Sequence, residues 1–106
     1  MIQQLTPTQL KERLAHDTAP VVLDVREPWE VAVCALPGAR HIPMRDVPTQ
    51  AEALPRDQDI VVLCHHGVRS QHVAGFLERL GFERIYNLAG GIDAWARDVE
   101  PSMAKY

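Results

Sequence analysis

The chemistry-bearing groups in this 106-residue chain are two thiols and five imidazoles, and one thiol keeps company that would make it reactive. Cys64 opens the run Cys64-His65-His66-Gly67-Val68-Arg69-Ser70 directly after the apolar Ile60-Val61-Val62-Leu63. A thiol attacks as its thiolate, which a helix N-terminus and a neighbouring cation both favour. Val73, Phe76, Leu77 and Leu80 follow at helical spacing, so the segment reads as strand, tight loop and helix, with the sulfur near the positive end of the helix dipole. Backbone N–H groups from Gly67 to Ser70 can turn toward the sulfur if the loop curls round it, and Gly67 permits a backbone conformation that a side chain would resist. Arg69 contributes a permanent charge and a planar fork of donors suited to an oxyanion. A cysteine ending a strand in other company reads as a small buried apolar residue. Here His, His, Gly, Arg and Ser form a polar, anion-receptive cup.

The other candidates read more blandly. His65 and His66 titrate near neutrality and are able to carry protons, yet as exposed loop residues they are expected to tune donor or acceptor binding. Three consecutive side chains do not converge on a tetrahedral ion, and there is no CxxC pair, so no metal is assigned to Cys64, His65 and His66. Cys34, between Val33 and Ala35, reads as structural. Asp24 and Arg26 close a strand on the same side of the expected sheet as Cys64 and read as an ion-paired anchor for neighbouring loops. Trp29 and Trp95 read as core or rim packing.

The elements that position these groups follow from local patterns. Thr6, Pro7 and Gln9 occupy N-cap, N1 and N3 of a capping box, Leu5 and Leu10 stand where a hydrophobic staple closes, and a helix is expected over about 7–16. Val21 to Val25 is a β-branched run without alternation, as in a strand covered on both faces. Pro28 opens a short helix through Val31, Pro37-Gly38 marks a turn before a brief strand near 39–42, and a second short helix is expected over 47–54. Gly81 stands where a helix C-cap belongs; Ile85 to Leu88 forms a further strand leading to Gly90-Gly91, and a closing helix carries Ile92 and Trp95. Strands separated by helices imply a mostly parallel sheet, whose ligands sit at the carboxyl ends of the strands.

Length and composition narrow the functional classes. One domain of this size buries roughly 60–65% of its unfolded surface, enough for one core without staples. Hydrophobic residues make up 46% and charged residues 24%, ordinary values for a soluble globular domain. The net charge of −3 comes from scattered side chains, which argues against nucleic acid as a partner. The opening MIQQLTPTQL lacks a basic cluster followed by an apolar stretch, and no segment approaches the ~20 apolar residues of a membrane span, so the expected location is the cytoplasm, away from membranes. Two cysteines do not make a disulfide framework.

Three ordered segments resemble the rhodanese family, across essentially the whole chain. CHHGVRS is similar to the family's active-site loop, Asp24-Val25-Arg26 with Glu30 to its early D-x-R-x-x-x-E pattern, and Tyr86-Asn87-Leu88-Ala89-Gly90-Gly91-Ile92-Asp93-Ala94-Trp95 to its closing motif. Where the family often reads G-H-I-x-G-A, this chain has Cys34-Ala35-Leu36-Pro37-Gly38-Ala39, without the histidine. The resemblance implies a single α/β domain over 1–106 with an open, mostly parallel five-stranded sheet and helices on both faces. It also implies a sulfurtransferase in which Cys64 is the nucleophile, at the floor of a loop whose amides cradle a persulfide, with Arg69 at the loop's far side. Arg69, His65, His66, Gly67, Val68 and Ser70 are the expected substrate-binding residues. The expected reaction is a double displacement: Cys64 takes sulfur from a small donor such as thiosulfate, sulfite leaves with its charge held by Arg69 and loop amides, and a thiol or cyanide removes the sulfur. A protein acceptor fits the same scheme, and no cofactor is required. Cysteine phosphatases and arsenate reductases also set Cys and Arg on a strand, loop and helix, but in a C-x5-R loop; here the spacing is C-x4-R.

Overall fold

Apolar residues at every position of Ile60–Leu63 need cover on both sides, and the fold supplies it. Ile60 and Val62 pack with Leu23, Val73, Leu77 and Phe82 in one core, while Val61 and Leu63 pack with Leu10, Leu88, Ile92 and Trp95 in the other. The computed structural model describes residues 2–106. Five strands, β1 (Gln3–Leu5), β2 (Val21–Asp24), β3 (Arg40–His41), β4 (Ile60–Leu63) and β5 (Ile85–Leu88), form one sheet in the order β1-β5-β4-β2-β3. Every pairing is parallel. The helices are α1 (Pro7–Leu14), α2 (Pro28–Val33), α3 (Val47–Gln50), α4 (Val68–Arg79) and α5 (Gly91–Asp98). Among the described residues no helix is long and apolar enough to cross a membrane.

Local chemistry explains most boundaries. The Gln9 amide donates to Thr6 Oγ1 at 3.2 Å and the Thr6 amide to Gln9 Oε1 at 2.9 Å, so the capping box starts α1 as expected. The helix stops at Leu14, two residues earlier than its pattern suggests, with Ala15 as its cap. The helix expected over 47–54 is broken into a 3-10 turn (Met44–Asp46), α3 and another 3-10 turn (Ala51–Ala53). Pro48 removes one N–H there, and Pro55 disfavours helical backbone at Leu54. The strand without a sequence signal is β1: two exposed glutamines and a leucine at the sheet edge, paired with β5. Helix α4 begins at Val68, so Arg69 and Ser70 lie in its first turn, a placement that shapes the site.

Candidate active site at the carboxyl end of the sheet

Ile60, Val62 and Cys64 share one face of the β4 line, which carries the cysteine side chain into the core at 1% exposure. The chain then turns through His65 and His66 to Gly67, whose φ of +103° caps α4. This turn wraps donors round the sulfur. The Gly67 amide donates to Sγ at 3.1 Å and the Ser70 amide at 3.4 Å, while Ser70 Oγ lies 3.3 Å away. The Ser70 hydroxyl donates to Asn87 Oδ1 at 2.5 Å, so toward a protonated thiol it offers a lone pair. Asn87 faces that way because its Nδ2 is committed to Gly67 O at 3.2 Å and Gln4 Oε1 at 3.0 Å.

A second helix end supports the loop from below. Ile92 N–H donates to Cys64 O at 2.8 Å and Asp93 N–H to His65 O at 3.1 Å, both from the first turn of α5. The loop therefore has its sulfur held by α4 and its carbonyls by α5, which satisfies backbone groups that neither strand nor helix pairs.

The charged groups form a frame around this dipolar centre. Arg69, 35% exposed, gives Nη1 to Glu30 Oε2 at 2.7 Å and Nη2 to Glu30 Oε1 at 2.8 Å. Glu30 is 3% exposed and also accepts from the Glu27 amide at 2.8 Å and the Tyr106 hydroxyl at 2.9 Å. Arg69's hydrogen bonds, against the opposing effect of burial and with help from Glu27 and Tyr106, hold this carboxyl down at about 2. Arg26 is wholly buried and forked onto Asp24 at 3.0 and 2.7 Å; it also donates to Glu30 O, Cys34 O and the Tyr106 hydroxyl. His65 lies between the rings of Tyr106 (4.0 Å) and His66 (3.9 Å), and burial, reinforced by His66, lowers its pKa.

Of the residues singled out from sequence, Gly67 and Ser70 converge on Cys64, His65 and His66 form the rim, and Val68 is exposed. Arg69 is turned onto Glu30. Asp24 and Arg26 form the buried anchor. Trp95 is core, whereas Trp29 is 61% exposed and meets Tyr106 edge-on. Asn87 and Tyr106 were not singled out individually. Asn87 stands in the closing motif, but Tyr106 has no local signal. Among the described residues, His65, His66 and Asp93 bring possible metal-ligand atoms within 4.8 Å of one another. The two imidazoles are stacked with planes 28° apart, which sets their nitrogens side by side instead of toward a shared centre.

A model of the rhodanese-like domain matches residues 6–98, a span holding Cys64 with Gly67, Ser70 and Asn87. The chain belongs to the rhodanese-like family. A sulfurtransferase of Allochromatium vinosum is 36% identical over 104 residues, covering 98% of this chain and 97% of that one. A thiosulfate sulfurtransferase, GlpE, of Pseudomonas aeruginosa is 34% identical over 100 residues, covering 94% and 88%. The crystal structure of a rhodanese-related protein from Thermoplasma volcanium superposes with a TM-score of 0.85 at 32% identity, over 93% of this chain and 95% of that one. Within this rhodanese-like chain, Tyr106 lies outside the matched span, although it touches Glu30, Arg26 and His65.

Proposed function

We propose that this chain is a sulfurtransferase in which Cys64 carries a sulfane sulfur as a persulfide. One observation carries the reading: a buried Sγ faced by the amides of Gly67 and Ser70 at the N-terminus of α4. Such an arrangement stabilises negative charge on the sulfur without neutralising it chemically. The Cys64 thiolate attacks the sulfane sulfur of a donor such as thiosulfate; the Sγ–S bond forms, the donor's S–S bond breaks, and sulfite leaves with the electron pair. A thiolate or cyanide then attacks the outer sulfur and the Cys64 thiolate is regenerated. A protein thiol serves as acceptor by the same step. The sulfur is itself the carried group, so the scheme uses no cofactor. A cytoplasmic setting, which keeps thiols reduced, suits the free Cys34 and Cys64. Phosphoryl transfer suits the site less well, because it needs a cation open to the phosphoryl oxygens and the fork of Arg69 is closed on Glu30.

The test is intact-mass analysis after excess thiosulfate or a small persulfide and rapid desalting. The protein gains one sulfur atom on the peptide containing Cys64, and cyanide or excess thiol removes it. Cys34→Ser still loads; Cys64→Ser does not. Sulfur found on Cys34, or phosphate release from a monoester that vanishes in Cys64→Ser, overturns the reading.

A further inference from the structure

The arginines around the loop are already matched, whereas Lys105, on the cavity it shares with His65 and Tyr106, makes no ion pair among the described residues. Arg26 is forked onto Asp24 and Arg69 onto Glu30, and Arg45 Nη1 donates to both Glu27 oxygens at 2.7 Å. His65 is displaced toward its neutral form by burial, and His66 faces Asp93 at 4.0 Å. The Glu30–Arg69 pair is the one that matters for an incoming donor, because Arg69 reaches the surface while Glu30 does not. Each Glu30 oxygen has two donors: Arg69 and the Glu27 amide on Oε2, Arg69 and the Tyr106 hydroxyl on Oε1. Tyr106 is in turn held by Arg26 Nη1 at 3.0 Å. An anion pulling Arg69 away would leave a buried carboxylate short of its cation, which is strongly unfavourable.

We propose that Glu30 is a specificity-determining residue: by closing the fork of Arg69 it leaves no open guanidinium at the mouth of the site, so that Cys64 draws its sulfur from a thiol-borne persulfide in preference to thiosulfate. This rests on the sulfurtransferase reading above. The charge tally of the two reactions supplies the reason. With thiosulfate, a thiolate meets a dianion and the products are a persulfide anion and sulfite, so three negative charges share the transition state. With a protonated persulfide R–S–SH, Sγ bonds to the outer sulfur, the S–S bond breaks, and RS⁻ leaves while Cys64 keeps –S–SH; one negative charge is present throughout. Two loop amides and a helix end suit one charge far better than three. The whole chain, at −3, adds no attraction for a dianion.

The experiment measures the second-order rate of Cys64 loading by intact mass, for the wild type and Glu30→Gln, over a range of ionic strength. The donors are thiosulfate, cysteine persulfide and a persulfidated cysteine peptide; the last two share the chemistry, and the faster one identifies the carrier. In the wild type, both persulfides load Cys64 at least about tenfold faster than thiosulfate, and added salt does not slow thiosulfate, because the Arg69 guanidinium is already matched and the whole chain is at −3. Glu30→Gln frees one positive charge: thiosulfate loading rises at least about fivefold and now falls with salt, while persulfide loading changes much less. A merely structural role for Glu30 would lower all three rates together. Thiosulfate loading the wild type as fast as the persulfides, or slowed by salt, overturns the proposal, as does a folded Glu30→Gln protein that loads thiosulfate more slowly. If that variant does not fold, the wild-type donor ratio and the sign of its salt dependence decide alone. Sulfur reaching Cys64 from no donor overturns the sulfurtransferase reading instead.

Discussion

Gly91→Ala tests how tightly α5 supports the loop. Gly91 has φ +64°, and a Cβ there would overlap the carbonyl oxygens of both Cys64 and His65. The left-handed backbone alone costs an L side chain roughly 1–2 kcal/mol. Relieving the overlap moves the two carbonyls that accept from Ile92 N–H at 2.8 Å and Asp93 N–H at 3.1 Å. Losing both bonds adds about 1 kcal/mol each, so the total is about 3–4 kcal/mol out of a typical 5–15. Gly38→Ala is the control: φ is +79° there, but nothing lies within 4 Å of the new methyl group, so only the backbone cost applies. Urea unfolding of the two variants at unchanged m-value should differ by about 2 kcal/mol. Under conditions where Gly91→Ala is still folded, sulfur loading of Cys64 should fall by more than about tenfold, because the displaced carbonyls carry Sγ off its amides. Equal destabilisation in the two variants, or undiminished loading in Gly91→Ala, refutes the argument.

Two further outcomes follow from the frame. Arg26→Leu leaves the Asp24 carboxylate buried at 1% exposure without its cation, and urea unfolding should register a loss of about 3–5 kcal/mol, with a loss below about 1 kcal/mol contradicting the anchor role. Glu30 makes an acid limb in stability: its carboxyl sits at about 2 when folded against an ordinary 4.5, so its contribution is complete above 4.5 and is lost as the pH falls toward 2. Because Arg69 is partly solvated, the limb is worth on the order of 2 kcal/mol, and it should be absent from pH-dependent unfolding of Glu30→Gln.

Local signals were strong where short-range chemistry decides the outcome. An unbroken apolar run followed by a glycine and a helical spacing leaves little choice but strand, loop and helix, and Thr6 with Gln9 makes its cap within four residues. The sequence carries no signal where the deciding partner is remote. β1 is a strand because β5 offers it an edge, and Gln3 and Gln4 carry no trace of that pairing. Trp29 and Trp95 are the same residue type, yet one faces solvent and the other the core, a difference set by the burial of α5 and the exposure of α2. Tyr106 holds Glu30 across a separation of 76 residues, and nothing adjacent to it in the chain announces that contact.

Arg69 shows how a residue visible in sequence can have its charge assigned elsewhere by the fold. A fork of donors five residues after a strand-ending cysteine suggests oxyanion binding, and only the meeting of α2 and α4 at the sheet's carboxyl end turns that fork onto a carboxylate 39 residues away. The groups that do touch the sulfur are two backbone amides and one hydroxyl, the last oriented by Asn87. There is a physical advantage in this division. Backbone dipoles neither titrate nor exchange partners with a departing anion, so in the proposed reaction they would hold the carried sulfur equally through loading and release, whereas a free guanidinium would bind the leaving sulfite as well as the donor. The ionised side chains, matched with one another, fix α2, the loop and α4 in register, and the neutral amides are left to face the sulfur.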